Sequence, residues 1–460
     1  MATEKEIQDI VAAQRAFFAT GKTIDVSFRI QKLKELKAVL IARESEINAA
    51  LKADLGKSAP ESYMCEVGMT LAELSYQIKH VRRWAKPQGV IPNLANFHSK
   101  TFTIAEPYGV SLIMSPWNYP YMLTLEPLIG AVAAGNCCVV KPSAYSPATS
   151  QLIADLISAV FDPGHVACIT GGRAENNALL EQRWDHIFFT GSVNVGKLVM
   201  EKASRYLTPV NLELGGKSPC IIAKDANLDI AAARVAFGKY LNLGQTCVAP
   251  DYLLVDAAVH DQFLAKLKAQ VTAMYGEDPL ANENYGKMVN RKHFDRVMGL
   301  IDPQKVAHGG QYDEEALRIA PTILDGVSPE DAVMGEEIFG PLCPILTYTS
   351  LEEAEAFIKE REKPLALYIF SNSKVVQNRF LRHVSFGGGC INDTIVHLCS
   401  SRMGFGGVGS SGMGSYHGLE SFYAFSHKKS ILKKYNWIDL PMRYQPYSKL
   451  KDSMVRMFLR

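Results

Sequence analysis

Between Glu4 and Leu55 apolar side chains recur at three- and four-residue steps, as at Phe28, Ile30, Leu33, Leu36, Leu40 and Ile41, with charges on the positions between. That spacing predicts amphipathic helices. After Ala85 the pattern breaks: KPQGVIPNLANFHSKTFTIAEPYGV carries three prolines and ends in alternating residues, which predicts a strand or hairpin reaching outward. From Gly109 onward short apolar runs (GVSLIMSP, CCVVKPS, VACITGG, HIFFTGS) alternate with helical patterns over Leu123–Ala134, Ser150–Phe161 and Asn194–Tyr206. Alternation of this kind predicts a parallel, doubly wound α/β sheet. A second alternating region, from Lys217 to about Ile391, predicts a second α/β domain, and no internal repeat or low-complexity segment interrupts either.

Composition changes this picture little. The chain has 460 residues, 47% hydrophobic and 21% charged, enough for two or three buried cores and incompatible with disorder. A formal net charge of +2 signals no broad nucleic-acid surface. The nine cysteines are odd in number and none is spaced CxxC, which favours a reducing compartment; with no long apolar run, the expectation is a cytoplasmic protein. The charge is uneven in one place: His427–Arg460 holds nine Lys/Arg against two Asp. Such a tail suits contact with an anionic membrane surface or docking as an arm on a neighbouring subunit.

Several segments carry candidate chemistry. HIFFTGSVNVGK sets Gly191, Ser192 and Gly196 after a buried strand and at the opening of a helix, where backbone N–H groups meet anions; its spacing is neither GxGxxG nor a P-loop. Lys141 ends another strand, on the edge where doubly wound sheets bind ligands, though a solvated surface lysine fits there too. Cys247, in NLGQTCVAPDY, sits in a small, polar context beside Gly244, as an accessible thiol would; a buried structural cysteine is the alternative. Glu213 in NLELGGKSP lies between leucines, where burial raises a carboxyl toward the range of a general base, or where a salt bridge holds it. Asn118 in MSPWNYP either donates to an oxyanion or satisfies a turn. Glu337 and Phe339 in MGEEIFGP offer an acid and an aromatic face, and Gly404–Gly418 is either a loop closing over a site or a flexible connection. No metal-ligand set stands out.

In order and spacing, PWN, KPS, FTGS, ELGGKSP, GQTCVAPDY, EEIFGP and FGGVGSSGMGSYHG resemble the aldehyde dehydrogenase superfamily over essentially the whole chain, and TPVNLELGGKSPC, REKPLALYIFS and FSHKKS resemble its class 3 branch. The resemblance implies NAD(P)-dependent oxidation of aliphatic or aromatic aldehydes to carboxylic acids. Cys247 would be the nucleophile, Glu213 the base that activates the hydrolytic water, and Asn118 an oxyanion donor. Trp117, Lys141, Ser143, Gly191, Ser192, Gly196, Leu214, Glu337 and Phe339 would bind the cofactor. Where relatives often have KPSE this chain has Ala144, so the acid that repels a 2′-phosphate is missing and NADP use is expected. Tyr119, Tyr63 and residues 391–398 are expected along the aldehyde tunnel or in packing roles.

The same resemblance implies a coenzyme-binding domain over 1–88 and 108–211 and a catalytic domain over 212–426. Residues 89–107 and 427–460 would form a small β bridging element that makes a homodimer. Two other readings compete: an acylating enzyme that passes the thioester to coenzyme A, against which the retained Glu213 argues, and a non-catalytic protein that keeps the fold, against which the intact Cys247, Glu213 and Asn118 argue.

Overall fold

A computed structural model describes residues 2–459. Three helices, Glu4–Ala19, Val26–Ala42 and Glu44–Leu55, open the chain. Leu33, Leu36, Leu40 and Ile47 are fully buried, whereas Ile41, also in the predicted stripe, is 54% exposed. They pack in one core with Leu125, Leu128 and Ile129 of a helix, Met122–Ala134, in which every residue is buried. Each leucine so placed contributes about 1.5–3 kcal/mol.

The first sheet has six strands, in the order Gly412–Met413, Val210–Glu213, His186–Thr190, Val110–Met114, Cys137–Lys141 and Val166–Cys168. All its pairings are parallel except that of Gly412–Met413 with Val210–Glu213. Its central strands are buried along their whole length, which is why they read as continuous apolar runs rather than alternating ones. The second sheet has seven strands, running Val306–His308, Thr322–Leu324, Leu342–Tyr348, Tyr252–Asp256, Pro219–Ile222, Ala366–Phe370 and Gly388–Ile391, parallel apart from the first pair. Both sheets have the expected α/β character.

Gln88–Val90, Ser99–Pro107 and Ser426–Lys434 form a separate three-stranded antiparallel sheet. The sheets divide the chain differently from the sequence-based boundaries. Residues 210–213 are one strand of the first sheet, so a boundary at 211/212 falls inside it, and Gly412–Met413, placed with the second domain, completes the first sheet. The glycine-rich stretch is neither lid nor loose connector. Its backbone pairs Phe405 with Tyr416 and lays Gly412 against Glu213, and the Cβ that any other residue would bring to position 412 falls 2.1 Å from the Leu212 carbonyl oxygen.

Chain order puts the site between the sheets. Asn118, Lys141, Gly191 and Glu213 follow or end strands of the first sheet, at its carboxyl edge, while Cys247 and Phe339 precede strands of the second. This is the edge at which doubly wound sheets bind ligands.

Candidate active site

The segment before Cys247 is tightly constrained. Asn242, Leu243 and Gly244 have φ of +52°, +53° and +68°, three successive left-handed residues. Such backbone costs about 1–3 kcal/mol for each non-glycine residue and persists only where the surroundings dictate it. At Gly244 a Cβ would lie 2.3 Å from the Gly340 carbonyl oxygen, so glycine also lets this loop touch the loop that carries Phe339. Asn242 Nδ2 donates to the Asn118 carbonyl (2.8 Å), Asn118 Nδ2 donates to the Gln245 carbonyl (3.0 Å), and Gln245 Nε2 reaches the carbonyls of Asn242 and Lys287 (3.1 Å each). The Tyr119 hydroxyl and Thr246 Oγ1 are hydrogen-bonded at 2.6 Å.

Beneath this lattice lies an ion pair. Lys57 Nζ and Glu66 Oε1 are 2.5 Å apart, and both side chains are fully shielded from solvent. Lys57 also donates to the Asn118 carbonyl (2.9 Å) and stands 4.0 Å from the centre of the Tyr119 ring. Glu66 Oε2 accepts from the backbone N–H groups of Tyr121 and Met122 (2.9 and 3.1 Å), at the start of the buried helix. A buried pair with every lone pair so used is the kind that offsets its own desolvation.

Burial pushes the Glu213 carboxyl up to about 8; the Glu337 carboxylate adds to this and the Cys247 thiol, hydrogen-bonded to it, opposes it. Glu337 is pushed up to about 8 as well, by burial first and Asp251 second. Burial, then these two acids, also raises the Cys247 thiol well above its ordinary value. Glu213 Oε1 and Glu337 Oε1 are buried without hydrogen-bond partners. A thiol and a carboxyl so placed can exchange a proton, and each gains from a partner that arrives with a ligand.

Two cavities meet at Cys247, Glu213 and Leu123. The first, of about 400 Å³, is a cleft whose walls include Trp117, Asn118, Gly191, Ser192, Leu214, Glu337 and Phe339. One end faces the start of the helix Val193–Ser204, where Ser192 forms no side-chain cap and the leading N–H groups stay free for an anion. A Cβ at Gly191 would strike the Phe189 ring at 2.6 Å, and one at Gly196 would meet Leu214 at 2.7 Å. Trp117 and Phe339, the latter at φ +47°, present rings 5.3 Å apart, edge to face. An anion-accepting helix start, an aromatic wall and an unpartnered carboxyl fit a dinucleotide with its pyrophosphate, ring and ribose hydroxyls.

Lys141 and Ser143 do not line this cleft. Lys141 is buried at its strand end, donating to the Pro142 carbonyl (2.8 Å), and Ser143 Oγ accepts from the Tyr145 N–H (3.2 Å). Residues that sequence reasoning passed over do line it, among them His293, 4.9 Å from the Trp117 ring, and Arg296. Arg296 donates to Glu336 (2.9 Å) and to the Ile338 carbonyl (2.6 Å), bracing the loop of Glu337 and Phe339. Lys217 of ELGGKSP braces it from the other side, through Asp251 (2.5 Å) and the Glu336 carbonyl (2.8 Å).

The second cavity, about 230 Å³, is apolar, with Met122, Leu123, Phe237, Val248 and Tyr416 in its walls. Tyr119 lines it as expected, and the 391–398 segment contributes Ile395, Val396 and Leu398; Tyr63 lies in an adjoining outer chamber instead.

A nucleotide-shaped cleft and an apolar tunnel that share a thiol and a raised carboxyl, on a double α/β scaffold, suit an oxidoreductase with a dinucleotide cofactor. Residues 1–431 match the model of the aldehyde dehydrogenase family. The chain belongs to the aldehyde dehydrogenase family, on its class 3 branch, and is an NAD(P)-dependent oxidoreductase acting on aldehydes. It is 48% identical over 428 residues to the dimeric NADP-preferring aldehyde dehydrogenase of Rattus norvegicus, covering 93% of this chain and 94% of the relative. Against the 4,4′-diaponeurosporen-aldehyde dehydrogenase of Staphylococcus aureus the identity is 44% over 448 residues, 97% of each chain. A structure of the substrate-bound state of Staphylococcus aureus AldH superposes with a TM-score of 0.97 at 43% identity, covering 100% of both chains.

Lys57→Ala strands Glu66 in the interior and is expected to lower stability by about 3–5 kcal/mol in urea denaturation. The double variant Lys57→Met/Glu66→Gln, which removes both charges at similar volume, should recover most of that stability. Its kcat should still be about tenfold low, some 1.4 kcal/mol of barrier, because Asn118 loses a donor to its carbonyl. Full activity in the double variant would show that the pair does not position Asn118.

Proposed function

We propose that Cys247 is the nucleophile, Glu213 the base for hydrolysis and Asn118 an oxyanion donor in the oxidation of aldehydes to acids. One observation carries this reading: the Cys247 thiol and the Glu213 carboxyl are common walls of the cleft and the tunnel, so a substrate entering by one meets a cofactor held in the other.

Cys247 passes its proton to Glu213 and its sulfur attacks the aldehyde carbon, giving a thiohemiacetal. The oxygen that gains charge is held by the second Asn118 Nδ2 proton and the Cys247 N–H. A bound nicotinamide dinucleotide supplies the two-electron hydride acceptor. Gly191, Ser192, Gly196 and the helix start would take its pyrophosphate, Glu337 a ribose, and Trp117, Leu214 and Phe339 its ring. Lys141 and Ser143, at a neighbouring strand end, would serve the adenosine end. Loss of hydride from the adduct leaves a thioester on Cys247. Glu213 releases the first proton to solvent, then takes one from water as the oxygen adds to the thioester carbon, and the acid departs as the thiolate re-forms.

Residues 1–88 and 108–213, completed by the edge strand Gly412–Met413, would form the coenzyme-binding domain, and the rest of 214–426 the catalytic one. The three-stranded sheet and basic tail would join two copies in a homodimer, a state supported by the name of the rat relative. In the tail the helix Lys449–Phe458 leaves Leu450 and Met457 72% and 65% exposed, apolar surface suited to an arm docked on a second copy. No helix among the described residues is long and apolar enough to cross a membrane. The nine free cysteines support a reducing, cytoplasmic setting. Ala144 is exposed and uncharged, which supports use of NADP alongside NAD.

Three outcomes test this reading. With Glu213→Gln, one equivalent of reduced nicotinamide should form per site in a burst, followed by turnover lowered about 10²-fold or more, with an acyl adduct on Cys247 visible by mass spectrometry. No burst, or turnover restored by coenzyme A in the wild type, would contradict the hydrolytic assignment.

Glu213 acts as a base only once deprotonated, and its carboxyl is pushed up to about 8, so hydrolysis-limited kcat should rise about tenfold from about pH 7 to about pH 9. Glu337→Gln removes the like charge, lowers the Glu213 midpoint and should move that rising limb to lower pH; an unmoved limb would assign it to another group.

NADP⁺ should support at least about a tenth of the kcat/KM seen with NAD⁺, a gap within about 1.4 kcal/mol. Ala144→Glu should depress the NADP⁺ value alone; equal loss with both cofactors would remove Ala144 from the explanation.

A further inference from the structure

Beside the apolar tunnel lies an outer chamber of about 180 Å³. The two adjoin, sharing Met64, Met69, Leu398, Cys399 and His417 as walls, and Cys247 lines the tunnel alone. At the junction the lining changes character. His417 faces both chambers and Glu126 faces the outer one, 4% and 1% exposed. Glu126 comes from the otherwise apolar helix Met122–Ala134, where a buried acid is costly unless it has work to do.

These two groups are not satisfied by each other or by the protein. His417 Nδ1 and Glu126 Oε2 are 3.8 Å apart, beyond hydrogen-bond range. Glu126 Oε2 and His417 Nε2 are both buried with no hydrogen-bond partner. They are not an ion pair either. Burial, with the Glu73 carboxylate adding, holds the Glu126 carboxyl well above its ordinary range, and burial lowers the His417 imidazole to about 4. At neutral pH a carboxylic acid thus faces a neutral imidazole, each with one donor and at least one acceptor.

The backbone beneath them is pinned. His417 adopts φ +81°, its N–H donates to Ser421 Oγ (2.7 Å), and the next residue's N–H donates to Glu73 Oε1 (2.8 Å). Gln77 ties the same turn, donating to Glu73 Oε1 (2.8 Å) and the Gly418 carbonyl (2.6 Å). The imidazole is thereby held at the junction, its ring 4.2 Å from that of Tyr416, with its hydrogen-bonding capacity unspent.

We propose that Glu126 and His417 form a polar subsite at the far end of the aldehyde tunnel that takes a hydroxyl group carried by the substrate at a distance from its aldehyde. A hydroxyl both donates and accepts, matching an acid and an imidazole that each do the same. A distal carboxylate is disfavoured, since the neighbouring Glu73 carboxylate repels it and the apolar walls would strip its hydration. This assignment rests on the reading of Cys247 as the nucleophile, because that sets which end of the substrate lies at Glu126. It predicts an enzyme that favours long ω-hydroxyaldehydes of the one length that reaches from Cys247 to Glu126 and His417.

The test compares kcat/KM for ω-hydroxyalkanals and for n-alkanals of equal length, over chains too long to close into five- or six-membered lactols, with ω-carboxyalkanals as a third series. In the wild type the hydroxyl-to-alkyl ratio should pass through a maximum at one length, at least about tenfold above its neighbours. In Glu126→Leu that maximum should flatten, and in Glu126→Gln, which keeps a hydrogen-bonding group of the same shape, most of it should survive. A monotonic ratio in the wild type would overturn the proposal whatever the variants do, as would a maximum unmoved by Glu126→Leu or one shown by the carboxylate series. If no aldehyde of any series is turned over in a Cys247-dependent way, it is the assignment of the nucleophile that fails.

Discussion

The ion pair between Lys57 and Glu66 is the contact on which the site's geometry depends, because a single buried pair of charges ties three parts of the chain together by hydrogen bonds. Lys57 follows the third N-terminal helix, Glu66 reaches the first two free N–H groups of the buried helix Met122–Ala134, and the lysine's other proton goes to the carbonyl of Asn118. From Asn118 the ties continue through Asn242 and Gln245 to the loop of Cys247. A neutral hydrogen bond in these places would be weaker than these charge-assisted ones. The arrangement also explains how the chain tolerates consecutive left-handed residues before Cys247: side-chain and backbone hydrogen bonds from Asn242 and Gln245 hold the strained segment.

With the loop so held, the electrostatics near the thiol follow from crowding. Glu213 and Glu337 crowd Cys247, and the cations that act on Glu337, Lys217 and Arg296, offset burial only in part, being engaged with Asp251, Glu336 and loop carbonyls. All three groups are therefore driven toward their neutral forms. That neutrality gives the resting site a stored proton and a thiol protected from casual oxidation, and it leaves polar atoms that only a ligand can satisfy.

Much of this was legible in the chain itself. The parallel sheets announced themselves because strands buried on both faces must be apolar throughout, and the Cys247, Glu213 and Gly191 segments because glycine and small polar residues interrupt those runs where backbone must turn sharply or come close. The rest was hidden for physical reasons. Lys57 and Glu66 stand nine positions apart in a helical region rich in charge, where nothing separates a buried lysine from a solvated one until the tertiary contacts exist. His293 and Arg296 lie in NRKHFDR, which reads as an exposed helix face. The glycine-rich stretch offered two readings, lid or connector, and became neither: backbone pairing with Glu213 makes it an edge of the first sheet, a contact between residues some two hundred positions apart that no local pattern encodes.

That edge has a consequence for the tunnel. Gly412 is paired with Glu213, and the segments on either side of it pair Phe405 with Tyr416, which sets Phe405, Tyr416 and His417 in the tunnel wall that Cys247 also lines. Helix Leu419–Ala424 then packs on the buried helix that holds Glu126, with no room for a side chain at Gly130, where a Cβ would lie 2.8 Å from Ser421. The acid and the imidazole are brought together by the same packing that closes the sheet, so neither can move without disturbing the strand that presents Glu213. A polar pair held inside an apolar wall cannot retreat to solvent, so its unmade hydrogen bonds cost stability unless a partner reaches them.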